Sequence, residues 1–212
     1  ALYLRPLLIA ADVAIKVMRS KKYLFYIMAS QAGSYFKGPK KQGARVLVNR
    51  QFVRAFPGGL GEAKTAANYA ATLSPQNYAE SIGCDQVLYL DAIQRSFVEE
   101  LGGMNFFAVK QGRLVTPNLA GTILEGVTRR SILELAPTLG LKCSEEPINF
   151  HELVNDIRNG AVSECFACGT AAVIHSISEF VVQNEKSDSP FSLHLPEETP
   201  VCTRLRQELV QI

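Results

Sequence analysis

Charge is nearly balanced in this chain. Lys and Arg number 22 against 20 Asp and Glu over 212 residues, a formal net charge of +2. There is no basic excess to engage a nucleic-acid backbone and no acidic block to serve as a solvating tail. Long apolar runs are missing as well. The longest, residues 7–11 and 23–29, have strand length and fall far short of the roughly 20 residues of a membrane-spanning helix. No basic leader precedes the first apolar stretch, and Arg5 and Pro6 interrupt it, so nothing reads as a secretory signal. Five scattered cysteines make no disulfide framework and suit a reducing compartment. His151, His175 and His194 lie far apart, without ligand spacing, so no metal is expected. Repeats and low-complexity tracts are absent.

What is there is a core. Apolar residues make up 47% of the chain and charged residues 20%, which excludes disorder. Short apolar runs bounded by turn residues predict strands at 3–10, 23–30, 44–48, 86–91, 105–110, 113–116, 162–167 and 171–178. Gln111-Gly112 between two of them predicts a hairpin. Helical periodicity predicts helices over 65–73, 128–139, 152–158 and 200–212. Pro75 should break or kink the first, and Pro137 sits awkwardly in the second. Residues 183–199, with a polar tip at 184–190, read as a surface loop. No domain boundary is visible, and the pattern implies one mixed, strand-rich α/β domain. The chain opens directly in a strand-like run without Met and stops inside an amphipathic helical pattern, so it is expected to be a piece of a longer protein.

Four segments carry residues suited to chemistry. Lys64 follows Pro57-Gly58-Gly59-Leu60-Gly61-Glu62-Ala63 and precedes small residues. A lysine held among small and apolar groups loses solvation, its pKa falls, and the neutral amine can condense with an aldehyde. A solvated lysine at a helix start is the plainer alternative. Glu99 and Glu100 interrupt an apolar run before Gly102-Gly103. A buried carboxylate there needs a cationic partner such as a protonated ring nitrogen, whereas two solvent-facing turn residues would need none. Gly126-Val127-Thr128 opens a helix whose free N–H groups suit a phosphate, or else Thr128 simply caps it. Gly169-Thr170-Ala171 between two strands could form a second small anion cradle or a plain turn. Cys165 and Cys168 spell C-x-x-C, but on a strand the two point apart, which argues against a redox pair or half a zinc site.

Taken in order, the stretches LYLRP, VRAFPGGLGEAKTAANYAATL, GCDQVLYLDA, VEELGGMNFFAV, LVTPNLAGTILEGVTRRSILELA and ECFACGTAAVIHSI resemble the branched-chain amino acid aminotransferases from about Tyr3 to the end of the chain. These are pyridoxal 5′-phosphate (PLP) enzymes of fold type IV. The resemblance implies that residues 1–212 form the large C-terminal, cofactor-binding domain of a two-domain enzyme, a pseudo-barrel of strands surrounded by helices. It implies transamination of leucine, isoleucine and valine with 2-oxoglutarate. Lys64 matches the lysine that carries the cofactor and moves the proton. Tyr69 matches the tyrosine at the phenolic oxygen, and Glu100 the glutamate at the ring nitrogen. Arg54, Val127, Thr128 and Thr170 match the phosphate set. Tyr3 and Arg5 match residues lining the substrate pocket, and Thr170 with Ala171 the turn that holds the substrate carboxylate. Amino acid and 2-oxo acid substrates, a homodimer of the full-length protein and a cytoplasmic or mitochondrial, non-secreted setting follow from the same resemblance, with neither nucleic acid nor membrane as partner.

The sequence also departs from the family pattern. Glu125 stands where proline is common, beside the phosphate loop. Gly103 replaces a substrate-contacting threonine found in some relatives. The redox C-x-x-C of some mammalian relatives would fall at Ala172 and His175, so it is absent, and the Cys165/Cys168 pair is offset from it. Other readings are a second fold-type-IV enzyme, such as aminodeoxychorismate lyase or D-amino acid aminotransferase, and an inactive or thiol-regulated paralogue.

Overall fold

A computed structural model gives the structure of the protein and describes residues 2–31, 43–183 and 190–211. The chain divides into two compact units, 1–35 and 36–212, where the sequence offers no boundary. The first unit is a hairpin. Strand β1 (Leu2–Ala10) pairs antiparallel with β2 (Tyr23–Gln31), from Leu2 opposite Gln31 to Ala10 opposite Tyr23. Pro6 is tolerated in β1 because a two-stranded ribbon leaves each strand one open edge. Asp12 organises the connection by accepting hydrogen bonds from the Lys21 and Lys22 amides and the Ser20 hydroxyl. Those donors, Ser20 foremost, hold the Asp12 carboxyl below its ordinary pKa.

The second unit is built on a nine-stranded sheet. Its strands are β3 (Ala44–Asn49), β4 (Gln86–Leu90), β5 (Val98–Leu101), β6 (Asn105–Lys110), β7 (Arg113–Thr116), β8 (Cys143–Glu145), β9 (Val162–Gly169), β10 (Val173–Val182) and β11 (Phe191–His194). The pairing order runs β11-β10-β3-β4-β5-β6-β7-β8, and β9 joins β6 to β10. Strands β10, β3, β4, β5, β6 and β9 thus close a ring, with β7–β8 and β11 attached outside it. The β10–β3, β3–β4 and β7–β8 pairs are parallel and the others antiparallel. Strand alternation distributes the core. Phe106, Ala108, Cys165 and Phe180 belong to one apolar cluster with residues of α4 (Phe150–Arg158). Phe107, Val109, Phe166 and Cys168 belong to another under α3 (Val127–Leu135) and α5 (Pro200–Gln211).

The helices follow their local chemistry. In α4 the buried Phe150, Leu153, Val154 and Ile157 recur at helical spacing, and the Asn149 side chain accepts the His151 and Glu152 amides at the N-cap. In α5 the Glu164 carboxylate on β9 accepts the Val201 and Cys202 amides at 2.9 and 2.8 Å. The helix expected over 65–73 is shortened to α1 (Ala66–Ala70), and after a break a helix that was not predicted, α2 (Leu73–Ser81), follows. Pro75 does not cause the break: it lies in the first turn of α2, where its missing N–H costs nothing. Pro137 opens a 3-10 turn (Ala136–Leu139) that ends α3. Gln111 and Gly112 both have positive φ, as a tight hairpin requires. Strands β5, β8 and β11 were not predicted. β11 lies within the expected loop at 183–199, and the tip of that loop at 184–189 lies outside the described residues.

Candidate active site

The glycine-rich segment before Lys64 folds back on itself. The buried Asn68 amide donates to the Leu60 and Ala63 carbonyls at 2.6 and 2.8 Å, fixing the loop just before the lysine. Gly61 lies against Thr122 so closely that a Cβ would stand 2.3 Å from the Thr122 carbonyl oxygen. Lys64 Nζ donates to Tyr69 Oη at 2.9 Å. The lysine itself is exposed. The apolar burial expected around it is not found: Ala63, Ala66 and Ala67 are themselves exposed.

Glu99 and Glu100 are not turn residues. Both lie on β5 and both are buried, Glu100 at 2% exposure. Glu100 Oε1 meets Arg54 Nη1 at 2.7 Å and accepts the Leu124 amide at 2.9 Å. Glu100 Oε2 accepts from Asn105 Nδ2 at 3.1 Å. Burial pushes the Glu100 carboxyl up to about 7, opposed by Arg54, the Leu124 amide and Lys64 and reinforced by Glu99. Glu99 Oε1 accepts from Thr122 Oγ1 at 2.6 Å, and burial raises its pKa too. Arg54, also buried, donates through Nη1 to the Thr122 carbonyl at 3.1 Å, while its buried Nε has no hydrogen-bond partner among the described residues. Glu100 thus engages this guanidinium through Nη1.

Gly126 occupies the N-cap of α3, and no side chain caps that end, so Thr128 does not take the capping role considered above. Three close approaches tie the remaining segments together. A Cβ on Gly126 would stand 2.2 Å from Asn105 Oδ1. One on Gly103 would stand 3.7 Å from the Tyr69 ring, and one on Gly169 3.3 Å from the Met104 side chain and 3.6 Å from the Gly103 carbonyl. The loop carrying Thr170 and Ala171 is exposed, and Val173 just after it has φ 58°, a strained value for a β-branched residue. Lys64, Tyr69, Glu100, Arg54, Val127, Thr128 and the Thr170 turn are thereby carried on contiguous segments of the second unit. Tyr3 and Arg5 belong to the hairpin, where the Arg5 guanidinium lies over the Tyr3 ring at 5.2 Å. Sequence reasoning missed Asn68, Asn105 and Thr122, whose partners are backbone groups and acids brought together by folding. Among the described residues, no group of three His, Cys, Asp or Glu could hold a metal ion. Nor is any described helix long and apolar enough to cross a membrane.

Similar proteins give this geometry a context. A "Probable branched-chain-amino-acid aminotransferase" of Streptomyces coelicolor is 45% identical over 212 residues, all of this chain and 57% of the relative. The chain spans about half the length of the curated relatives it matches. The solved branched-chain aminotransferase of Thermoproteus uzoniensis with norvaline superposes with a TM-score of 0.82 at 28% identity, covering 99% of this chain and 64% of that one. The Thermobaculum terrenum enzyme, solved in PLP-form, matches at TM-score 0.77 and 24% identity over 99% of this chain and 63% of that one, a likeness of fold alone. The family model for amino-transferase class IV matches residues 3–180, which include the lysine loop, the Glu100 strand, the α3 N-terminus and the Thr170 turn. On that match, over most of its length, the chain belongs to the class IV amino-transferases.

Proposed function

We infer that the protein of which this chain is all or part transfers amino groups between branched-chain L-amino acids and 2-oxoglutarate, using PLP. The observation that carries the reading is the Lys64 Nζ–Tyr69 Oη hydrogen bond at 2.9 Å in the same site as the buried Glu100 carboxyl. The donor set fits PLP. An amine and a phenol donor suit an aldehyde beside a phenolic oxygen. A carboxylate with a lone pair left on Oε2 suits a ring nitrogen, and an uncapped helix start with a glycine at its N-cap suits a phosphate. Arg54 serves this reading twice, opposing the effect of burial on that carboxylate and joining Val127, Thr128 and Thr170 at the phosphate.

When bound, PLP supplies the electron sink that stabilises charge at the substrate α-carbon. The residues do the rest. Tyr69 Oη holds Lys64 Nζ in place, and Nζ takes the α-proton and returns it as general base and acid. Glu100 Oε2 holds a proton at the ring nitrogen, and Arg54 offsets the cost of burying that carboxylate. Thr170 and Ala171 offer turn donors to the substrate carboxylate, and Tyr3 and Arg5 line the pocket on the grounds of resemblance. An apolar pocket separates leucine, isoleucine and valine only weakly, so all three are substrates.

The relatives' names favour this reading over aminodeoxychorismate lyase or D-amino acid aminotransferase, and the intact Lys64, Tyr69 and Glu100 favour it over an inactive paralogue. Bacterial relatives favour a cytoplasmic setting over a mitochondrial one. A homodimer belongs to the same reading, tested by light scattering. For the chemistry, borohydride reduction of the protein with PLP, followed by digestion and mass spectrometry, is expected to label Lys64, and leucine but not D-alanine is expected to be a donor. Label elsewhere on folded protein would refute the assignment.

A further inference from the structure

Asn105 opens β6 directly across from Glu100 and is buried. Its amide carries two hydrogens, and both are used. One goes to Glu100 Oε2 at 3.1 Å and the other to the Leu124 carbonyl at 2.9 Å. The Leu124 N–H in turn donates to Glu100 Oε1 at 2.9 Å. Carboxylate, amide and peptide therefore close a ring. On its other side the amide presents Oδ1 to Gly126, where any Cβ would come within 2.2 Å, so the start of α3 approaches this closely only because it is a glycine.

The division of donors matters. Arg54 and the Leu124 N–H both engage Oε1, leaving Oε2 with the Asn105 hydrogen and one further lone pair. The Asn105 amide thus sets the rotation of the carboxylate and the direction of that lone pair. It does so without charge, in a setting where Arg54 and Lys64 already favour the carboxylate and Glu99 opposes it.

We propose that Asn105 is a positioning residue, aiming Glu100 Oε2 at the cofactor's ring nitrogen and, through Leu124 and Gly126, holding the phosphate-binding start of α3 in register with that contact. The proposal rests on the reading that Glu100 meets the ring nitrogen of PLP.

The test compares two ligands that differ at one atom. PLP and 1-deazapyridoxal 5′-phosphate, in which C–H replaces the ring nitrogen, share aldehyde, phenol and phosphate. The ratio of their Kd values, read by fluorescence titration, isolates the ring-nitrogen contact. Asn105→Asp keeps the shape and an oxygen facing Gly126, removes both donated hydrogens and sets a like charge beside Glu100. Wild type is expected to prefer PLP, Glu100→Gln to lose that preference, and Asn105→Asp to reduce it about tenfold, as a shift of one pKa unit implies. Asn105→Ser, too short to reach either acceptor, reads the same ratio should the Asp variant fail to fold, with a thermal melt verifying each sample. An unchanged ratio in the folded Asn105 variants, accompanied only by a lower Tm, would mean a purely structural amide and overturn the proposal. No difference between wild type and Glu100→Gln would instead remove the Glu100 reading, and the proposal with it.

Discussion

Asn105 has Glu100 of β5 opposite it on one side and Cys168 of β9 on the other. The two neighbours are equally inaccessible, at 2% and 0% exposure. Burial pushes both pKa values up, the carboxyl to about 7 and the thiol far above its usual range. Their surroundings differ. Glu100 has a guanidinium, a backbone amide and a side-chain amide on its oxygens, and Lys64 close enough to be felt. Cys168 lies in an apolar cluster with Phe107, Phe166 and Ile174. Burial alone makes a group reluctant to ionise, and the partners decide whether that reluctance becomes a tool or mere packing.

The polar side can be broken most completely at Lys64. Lys64→Ala is expected to lower transamination by roughly 10^4-fold, because it removes both the covalent anchor and the proton-moving group. The fold should survive, since the lysine is exposed, and a normal melt alongside lost turnover is the result to look for. Substantial turnover would place the chemistry elsewhere.

Glu100 is next. Glu100→Ala leaves Arg54 buried without its counter-ion and should destabilise the protein by about 3–5 kcal/mol in urea titrations. Glu100→Gln keeps the shape, loses the charge, and should slow proton transfer. It should also change the dependence of stability on pH. The folded carboxyl titrates near 7 and its ordinary value is 4.5, so the folded state binds the proton more tightly. The contribution of Glu100 is therefore most favourable below about 4.5, declines as pH rises to 7, and is flat above. Wild type should lose stability relative to Glu100→Gln across that window, and a constant difference between them would show that Glu100 is not perturbed.

How much of this was legible beforehand depends on where the partners lie. Helix α4 announces itself locally, with its Asn149 cap, four apolar residues at helical spacing and Arg158 in the last turn. The Gln111-Gly112 hairpin does the same. Strand β5 does not, because Glu99-Glu100 reads either as a buried carboxylate or as a pair of turn residues until Arg54 and Thr122, distant in the chain, are brought to it. The candidate residues came from an ordered resemblance of motifs. Their engagement with one another could not, and so the Arg54–Glu100 ion pair was not foreseen. Asn105 was overlooked because a single amide after Gly-Gly-Met has no pattern of its own.

A smaller effect is expected at Gly61, where Ala would drive a Cβ to 2.3 Å from the Thr122 carbonyl oxygen. Backbone on the receiving side cannot swing away as a side chain can, so a cost of about 1–3 kcal/mol is expected. Turnover should fall with it, because Lys64 sits at the end of the displaced loop. Unchanged activity at reduced stability would separate the loop's packing from its placement of the lysine.

The smallest effect should come from the apolar side. Cys165 and Cys168 are both free and buried, and they belong to different apolar clusters on opposite faces of β9. Residues three apart on a strand point to opposite faces, so the two sulfurs cannot close a disulfide without rebuilding the strand. Cys165→Ser and Cys168→Ser should each cost about 1–3 kcal/mol, the expense of a hydroxyl in an apolar site, and leave PLP affinity unaltered. Treatment with diamide should change the activity of wild type and of either variant equally. A loss in wild type that Cys165→Ser abolishes would make the thiol side as functional as the carboxylate side, and the contrast drawn at Asn105 would fail.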